Sequence, residues 1–286
     1  MGRISVCAEV TIFSDHPRWE EKELLRASKE LGVKAELLNI ARVALDCART
    51  LFELSYIRCI SHTKSQLLAW LLSEYSEIVV NSRHTYTICS NKAITTAMLS
   101  ASGIPTPRTV VCFDRALALE KAEELGFPVV IKPVYGSWGT MVGKLSDRDS
   151  LKAVLEHKWA LGSPQDQVIY LQEFVKRPPR DLRAVVVGEK VVACSARYSP
   201  PGEWRTNVAL GGKSERHKLT QEEEELFLKA ARVVGGGVLG IDAMESERGL
   251  LIHEINPGVE FKGVVEATRV DVAREIVSYL YSLIKK

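Results

Sequence analysis

Ile131-Lys132-Pro133-Val134-Tyr135-Gly136-Ser137-Trp138-Gly139 is the stretch on which the reading of this chain turns. Val129-Val130-Ile131-Lys132 is a continuous apolar run ending on a cation, and Gly126 before it closes a helix predicted over residues 115–125. The run therefore reads as a buried strand that delivers a lysine. An ammonium at the end of an apolar strand is costly to bury unpaired, and an anionic ligand resolves that cost. The backbone amides of the glycine-bracketed loop suit phosphate oxygens, but the same loop also fits a plain turn. It is not a P-loop, because no G-K-[ST] follows the second glycine.

A second constellation lies near the C-terminus, in Ile241-Asp242 and Ile252-His253-Glu254-Ile255-Asn256-Pro257. The period of two in a strand puts Glu254 and Asn256 on one face, and a hairpin around residues 246–249 brings Asp242 alongside on the partner strand. Two carboxylates and an amide oxygen on one face suit a divalent cation carrying phosphates. They fit equally a solvated face paired with nearby Lys and Arg. By the same alternation His253 is expected to face away from Glu254 and to pack. Tyr170-Leu171-Gln172-Glu173-Phe174-Val175, followed by Arg180-Asp181-Leu182-Arg183, suits an adenosine, with backbone for the base edge and an acid for the ribose. Arg205-Thr206-Asn207-Val208-Ala209-Leu210-Gly211-Gly212 combines a cation, hydrogen-bonding side chains and a flexible glycine pair in one loop.

Around these motifs the chain alternates strand and helix. A strand over residues 4–10, a helix over 20–31 closed by Gly32, a strand over 35–40, a helical 67–72 and a strand over 78–80 read as a small α/β unit with a parallel sheet. Ser90 or Asn91 caps a helix running to about Ser102, and a strand over 109–113 follows. Beyond residue 132 the pattern turns antiparallel, with hairpins over 182–196 and 239–255 and helices over 221–233 and 271–284. The expected division is an N-terminal α/β domain at 1–90, a central subdomain at 91–168 and a C-terminal subdomain at 169–286.

The 286 residues carry 38 Lys and Arg against 36 Asp and Glu, a net charge of +2, too balanced for the footprint of a duplex-DNA binder. No apolar run approaches the roughly 18 residues of a membrane span, and the N-terminus lacks a secretory h-region. Six scattered cysteines without a C-x-x-C pair read as free thiols of a reducing cytoplasm. The histidines show no metal-ligand spacing.

Taken in order, Lys92, Lys132, Glu173-Phe174, Asp181-Leu182-Arg183, the Asn207 loop and Asp242/Glu254/Asn256 resemble the ATP-grasp ligases across essentially the whole chain. With Gly136-Ser137-Trp138-Gly139 and Glu260-Phe261-Lys262, the nearest branch resembles the carrier-protein ligases of lysine and arginine biosynthesis, the LysX and ArgX type, relatives of the RimK glutamate ligases. The resemblance implies an ATP-grasp fold in which a parallel α/β domain precedes two ATP-clasping subdomains. It implies that Lys92 and Lys132 hold ATP phosphates, that residues 136–142, with Gly136, Ser137, Trp138 and Gly139, form a mobile loop over them, and that Gln172, Glu173, Phe174 and Val175 form the adenine hinge. Asp181 then takes the ribose with Arg183 among the nucleotide contacts, Arg197 and Asn207 meet the phosphates or acyl phosphate, and Asp242, Glu254 and Asn256 ligate Mg²⁺.

The implied reaction joins the α-amine of glutamate or α-aminoadipate to the side-chain carboxylate of the terminal Glu of a small acidic carrier protein. It consumes ATP, needs Mg²⁺ and passes through an acyl phosphate. Glutamate-using members resemble Gly-Phe after the Glu-Phe-Lys run and aminoadipate-using members Asn-Thr or Asn-Ala. This chain has Gly263-Val264, whose glycine is of the first type and whose valine is of neither. A homo-oligomer is expected by the same resemblance, and a ligase that adds glutamates to another protein tail or peptide, as RimK does, is the alternative. A nucleotide-binding regulator without turnover is disfavoured by the complete donor set Asp242, Glu254 and Asn256.

Overall fold

The computed structural model describes residues 8–45, 52–136, 139–206 and 212–285. The first unit is β1 (Val10–Ser14), α1 (Trp19–Leu31), β2 (Ala35–Asn39), β3 (Phe52–Ile57), α2 (His62–Tyr75) and β4 (Ser76–Val80). Its strands form a parallel sheet in the order β2-β1-β3-β4. The first described strand starts at Val10, later than the expected 4–10 segment, most of which lies outside the described residues. Thr11 and Ser14 interrupt the apolar run, yet both are fully buried, because β1 is an interior strand with both faces covered.

Two helices, α3 (Arg83–Cys89) and α4 (Lys92–Ala101), lead to the second sheet. The Asn91 side chain caps α4 by accepting from the backbone N–H groups of Ala93 and Ile94 at 2.9 and 3.2 Å. Next come β5 (Thr109–Cys112), α5 (Arg115–Leu125), β6 (Val129–Lys132), β7 (Gly143–Leu145), α6 (Arg148–Leu161) and β8 (Ile169–Glu173). The order β5-β8-β6-β7 is antiparallel throughout. β8 thus enters between two strands that precede it by dozens of residues, so Lys132 lies directly across from Tyr170.

The third sheet follows, with β9 (Arg180–Val187), β10 (Lys190–Tyr198), β11 (Lys213–Arg216), α7 (Gln221–Val233), β12 (Val238–Ser246), β13 (Gly249–Asn256), α8 (Lys262–Thr268) and α9 (Val272–Ile284). It is antiparallel in the order β11-β10-β9-β12-β13. The β9–β10 turn uses Gly188 at φ +59, where a Cβ would also stand 2.8 Å from the Tyr279 ring.

The two faces of this sheet differ. Leu182, Ala184, Val186, Cys194, Ala196, Leu239, Ile241 and Ile252 form one buried face against Phe227, Ala230 and Ala231 of α7. On the other face Val185, Val187 and Val238 join a core that includes Val10, Ile12 and Leu54 of the first sheet and Ile276, Val277 and Leu280 of α9. The remainder of that second face is polar, and it carries the candidate site. The four described cysteines, Cys59, Cys89, Cys112 and Cys194, are buried and free, and Cys7 and Cys47 lie outside the described residues. No helix among the described residues is long and apolar enough to cross a membrane.

Candidate active site

Alternation along four adjacent strands builds the polar face. Cross-strand register places Ser195 opposite Arg183, Arg183 opposite Asp242, and Asp242 opposite Glu254, so one row of side chains runs across β10, β9, β12 and β13. A second row pairs Ser214, Arg197 and Asp181. The charges bond along and between the rows. Arg197 donates from Nε and Nη2 to the two oxygens of Asp181 at 2.8 and 2.7 Å, and its Nη2 lies 3.2 Å from Asp242 Oδ2. Arg183 forms a two-pronged pair with Asp242, Nη2 donating to Oδ2 at 2.7 Å. These are buried ion pairs and not a solvated face, since Asp181 and Asp242 are each 2% exposed.

Lys132 closes this site from the second sheet. Its Nζ donates to Gln172 Oε1 at 2.8 Å. Gln172 in turn donates to the Tyr170 hydroxyl at 3.0 Å and to Thr109 Oγ1 at 3.1 Å, which fixes the amide orientation. Burial pulls the Lys132 ammonium down to about 8, against the opposing charge of Glu254. Lys92, the first residue of α4, donates its Nζ to the Gly136 carbonyl at 2.5 Å and stands 3.3 Å from Glu254 Oε1. Burial alone would raise the Glu254 carboxyl, but the charges of Lys92, His253 and Lys132 hold it down at about 2.

His253 departs from the expected alternation. The β12–β13 register slips between Asp242 and Ala243, so that Asp242 pairs with Glu254 while Ala243 pairs with Ile252, and His253 is the extra residue. The bulge turns His253 into the same cleft as Glu254, with Nε2 3.8 Å from Asp181 Oδ2. Both ring nitrogens are buried with no hydrogen-bond partner among the described residues. Burial lowers its pKa, with Asp181 opposing.

The cleft is lined by Lys92, Lys132, Gly136, Gly139, Asp181 and Arg197, joined by Arg177, Trp204, Thr206, Asp242, His253 and Glu254. Arg177 and Trp204 are not among the site residues expected from the sequence, and Thr206 is expected only as a hydrogen-bonding side chain of the 205–212 loop. Thr206 donates to Asp181 Oδ2 at 2.5 Å, a contact signalled only by its place beside Asn207 in the polar loop. Asp181 therefore has both oxygens bonded, and the adjacent Arg197 guanidinium lowers its pKa against the opposing effect of burial.

Gln172, Glu173, Phe174 and Val175 do not appear in the described cleft lining. The Gln172 amide oxygen accepts from Lys132 Nζ. Glu173 accepts from the Arg108 backbone at 2.7 Å and pairs with the side chains of Arg108 and Arg248. Phe174 lies under Lys144 Nζ, 4.0 Å from the ring centroid, and meets Trp204 edge-on at 5.8 Å. Ser137, Trp138 and Asn207 lie outside the described residues.

A second cavity of about 450 Å³ meets the cleft at Arg197, Asp242 and Glu254. Arg183, Ser195, Ser214 and Asn256 line it from the sheet, Arg18 and His62 from the first unit, and Gly263 and Val264 from α8. A Cβ on Gly263 would meet nothing within 4 Å, so this glycine leaves open space, whereas Val264 is 3% exposed and packs into the core.

Asp242 and Glu254 line both cavities and Asn256 lines the larger one, and hard oxygen donors of this kind would suit Mg²⁺. Among the described residues no three His, Cys, Asp or Glu side chains form a metal cage by themselves, so a cation here would need further oxygens, from Asn256 or from a ligand. The match to the RimK-like ATP-grasp domain covers residues 89–280. This chain belongs to the RimK-like ATP-grasp family.

The ATP-grasp chain is 36% identical over 275 residues to the alpha-aminoadipate–LysW ligase LysX of Saccharolobus solfataricus, covering 94% of this chain and all of that one. It is 33% identical over 274 residues to the glutamate–LysW ligase ArgX of Sulfolobus acidocaldarius, covering 95% and 97% of the two chains. Among solved structures, the RimK domain ATP-grasp protein of Sphaerobacter thermophilus superposes with a TM-score of 0.80 at 24% identity, over 94% of this chain and 98% of that one. That likeness supports the ATP-grasp fold and the two clasping sheets on either side of the cleft.

Proposed function

We propose that this protein is an ATP-dependent ligase that joins the α-amine of glutamate or α-aminoadipate to the side-chain carboxylate of the C-terminal Glu of a small acidic LysW-like carrier. The observation that carries the reading is the meeting of two cavities at Arg197, Asp242 and Glu254, a cationic cleft on one side and a larger mixed-charge cavity on the other. The names of the relatives at 36% and 33% identity support the substrate class.

A carboxylate oxygen is a poor leaving group. Transfer of the γ-phosphoryl group of ATP to the carrier carboxylate forms an acyl phosphate and ADP. The amine then attacks the carbonyl carbon, the C–N bond forms, the C–O bond to phosphate breaks, and inorganic phosphate leaves with the amine proton passing to solvent or phosphate. Lys132 and Lys92 bind and orient the ATP phosphates from the cleft side, where the low dielectric strengthens attraction between opposite charges. Arg197, held by Asp181, faces both cavities and stabilises charge on the transferring group. Asp242, Glu254 and Asn256 would hold Mg²⁺, which when bound supplies neutralisation of the phosphate charge. The 136–142 loop, with Ser137 and Trp138, would exclude water from the acyl phosphate, and Asn207 would contact its phosphate. Gly263 and Val264 border the amino-acid side of the larger cavity and set how long a side chain fits.

The test is intact-mass analysis of an acidic carrier, or of a peptide ending in Glu, after incubation with enzyme, Mg²⁺, ATP and either amino acid. A gain of one residue is the expected result. A gain of several glutamates would assign the chain to the RimK mode, and ADP release without any gain would refute the acceptor.

A further inference from the structure

β11 is an edge strand bordering the larger cavity: among the described residues β10 is its only strand neighbour, and Ser214 lines the cavity wall. Its hydrogen-bonding phase follows from one bond. His217 donates its N–H to the Cys194 carbonyl at 3.0 Å, and the antiparallel register continues with Arg216 opposite Ser195, Glu215 opposite Ala196, Ser214 opposite Arg197 and Lys213 opposite Tyr198. Ladder bonds in an antiparallel pair alternate along the strand. Lys213 and Glu215 therefore point their backbone groups at β10, and Ser214 and Arg216 turn theirs outward. The outward N–H and C=O groups of Ser214 and Arg216 have no strand partner among the described residues, with α8 packed beside β11 across the cavity, and such a row is a template for another strand.

The side chains state what that strand should be. Lys213, Arg216 and Lys218 are exposed, beside the carboxylates of Glu215 and of Glu223, which lies 3.2 Å from His217 Nε2. A second copy of β11 pairing edge to edge would set these cations against one another, which disfavours self-association here. An acidic chain meets them favourably. Ser214 also lies directly opposite Arg197, one of the three residues shared by both cavities, so a chain lying along β11 is close to the reaction centre.

We propose that the acidic tail carrying the carboxylate to be ligated docks as a sixth strand of this sheet, hydrogen-bonding to the outward backbone groups of Ser214 and Arg216, and runs on into the cavity. This rests on the ligase reading above and adds how the macromolecular substrate is held. Affinity comes from the main chain and selection from the basic side chains, which is the logic of strand addition. Alternate residues of the tail bond to β11, and those between them do not.

The experiment uses the wild-type enzyme and synthetic acidic peptides ending in Glu, N-methylated at one backbone position at a time. Strand addition predicts a period of two: methylation at bonded positions raises the peptide KM about tenfold, the loss of one hydrogen bond, with little change at the intervening positions. Arg216→Pro, which removes an outward N–H and leaves the ladder bonds of Lys213 and Glu215 in place, should raise the peptide KM similarly without changing the KM for ATP. A flat methylation scan on a peptide that is ligated overturns the docking mode and leaves the ligase reading standing. If Lys213→Glu and Lys218→Glu raise the KM while the scan stays flat, the edge steers by charge alone and strand addition is wrong. Failure of the unmethylated peptide and of the intact carrier to gain any residue refutes the ligase reading, and the docking with it.

Discussion

Nucleotide binding should weaken above pH 8, because the lysine that reaches into the cleft is itself buried. Lys132 is 8% exposed, and its ammonium is pulled down to about 8 by burial, with Glu254 opposing and Lys92 adding to the shift. A group with this pKa is about 90% charged at pH 7 and about 10% charged at pH 9. If only the ammonium binds phosphate, the apparent Kd for ATP rises about tenfold across that interval, or about 1.4 kcal/mol. The measurement is calorimetric titration of the free enzyme with a non-hydrolysable ATP analogue and Mg²⁺ at constant ionic strength. The amino acid is left out, so that its own α-amine does not contribute to the profile. Lys132→Arg, whose guanidinium stays charged, should remove the bend. A flat wild-type profile from pH 7 to 9.5, or an unchanged bend in the arginine variant, would refute the reasoning. The same shift acts on folding with its own sign. Between about 8 and the ordinary lysine value of 10.5 the unfolded chain binds more protons than the folded one, so this group makes the free protein more stable as pH rises through that window.

Glu254→Gln removes the carboxylate that faces Asp242 across the strands and stands 3.3 Å from Lys92, and it should lower ligation at least about a hundredfold with an unchanged circular dichroism spectrum. Wild-type turnover in the folded variant would remove Glu254 from the metal set. Asn81→Leu acts on stability instead. Its buried amide donates to the carbonyls of Val238 and Pro257 at 2.8 and 2.7 Å and accepts from the Val238 N–H at 2.6 Å, tying the first unit to the start of β12 and the segment after Asn256. Three backbone groups lose their partner, and urea unfolding should show a loss of about 3 kcal/mol. The approach is so close that a Cβ on Gly237 would stand 2.0 Å from the Asn81 Oδ1.

Much of this molecule is legible one residue at a time. The period of two in β9, β10 and β12 separates Leu182, Ala184, Cys194 and Ile241 from Asp181, Arg183, Arg197 and Asp242, and the structure keeps that separation as two faces of one sheet. The helix limits follow from Asn91, Asp114 and Asp271, whose side chains accept from the backbone of the first turn, and from Gly32 in the left-handed region. These features depend on near neighbours along the chain, through backbone sterics and local hydrogen bonds, so the sequence alone determined the strand faces, the caps, and the candidate set around Lys132, Asp242 and Glu254.

Tertiary structure decided the rest. The bulge that turns His253 into the cleft arises from the register of two strands and leaves no mark on the alternation of Ile252, His253 and Glu254. β8 inserts between β5 and β6 and so makes the Gln172 amide the partner of Lys132, a contact that the order of residues along the chain does not show. Asp181 and Thr206 are 25 residues apart and meet only because the chain after β10 brings Thr206 back to the start of β9. Thr11 and Ser14 are polar residues inside a strand that only its covered neighbours make recognisable as a strand. The physical reason is the same in each case. Local sequence determines which way a side chain points, whereas the partner that neutralises a buried charge or takes a buried hydrogen bond is chosen by elements that arrive from elsewhere in the chain.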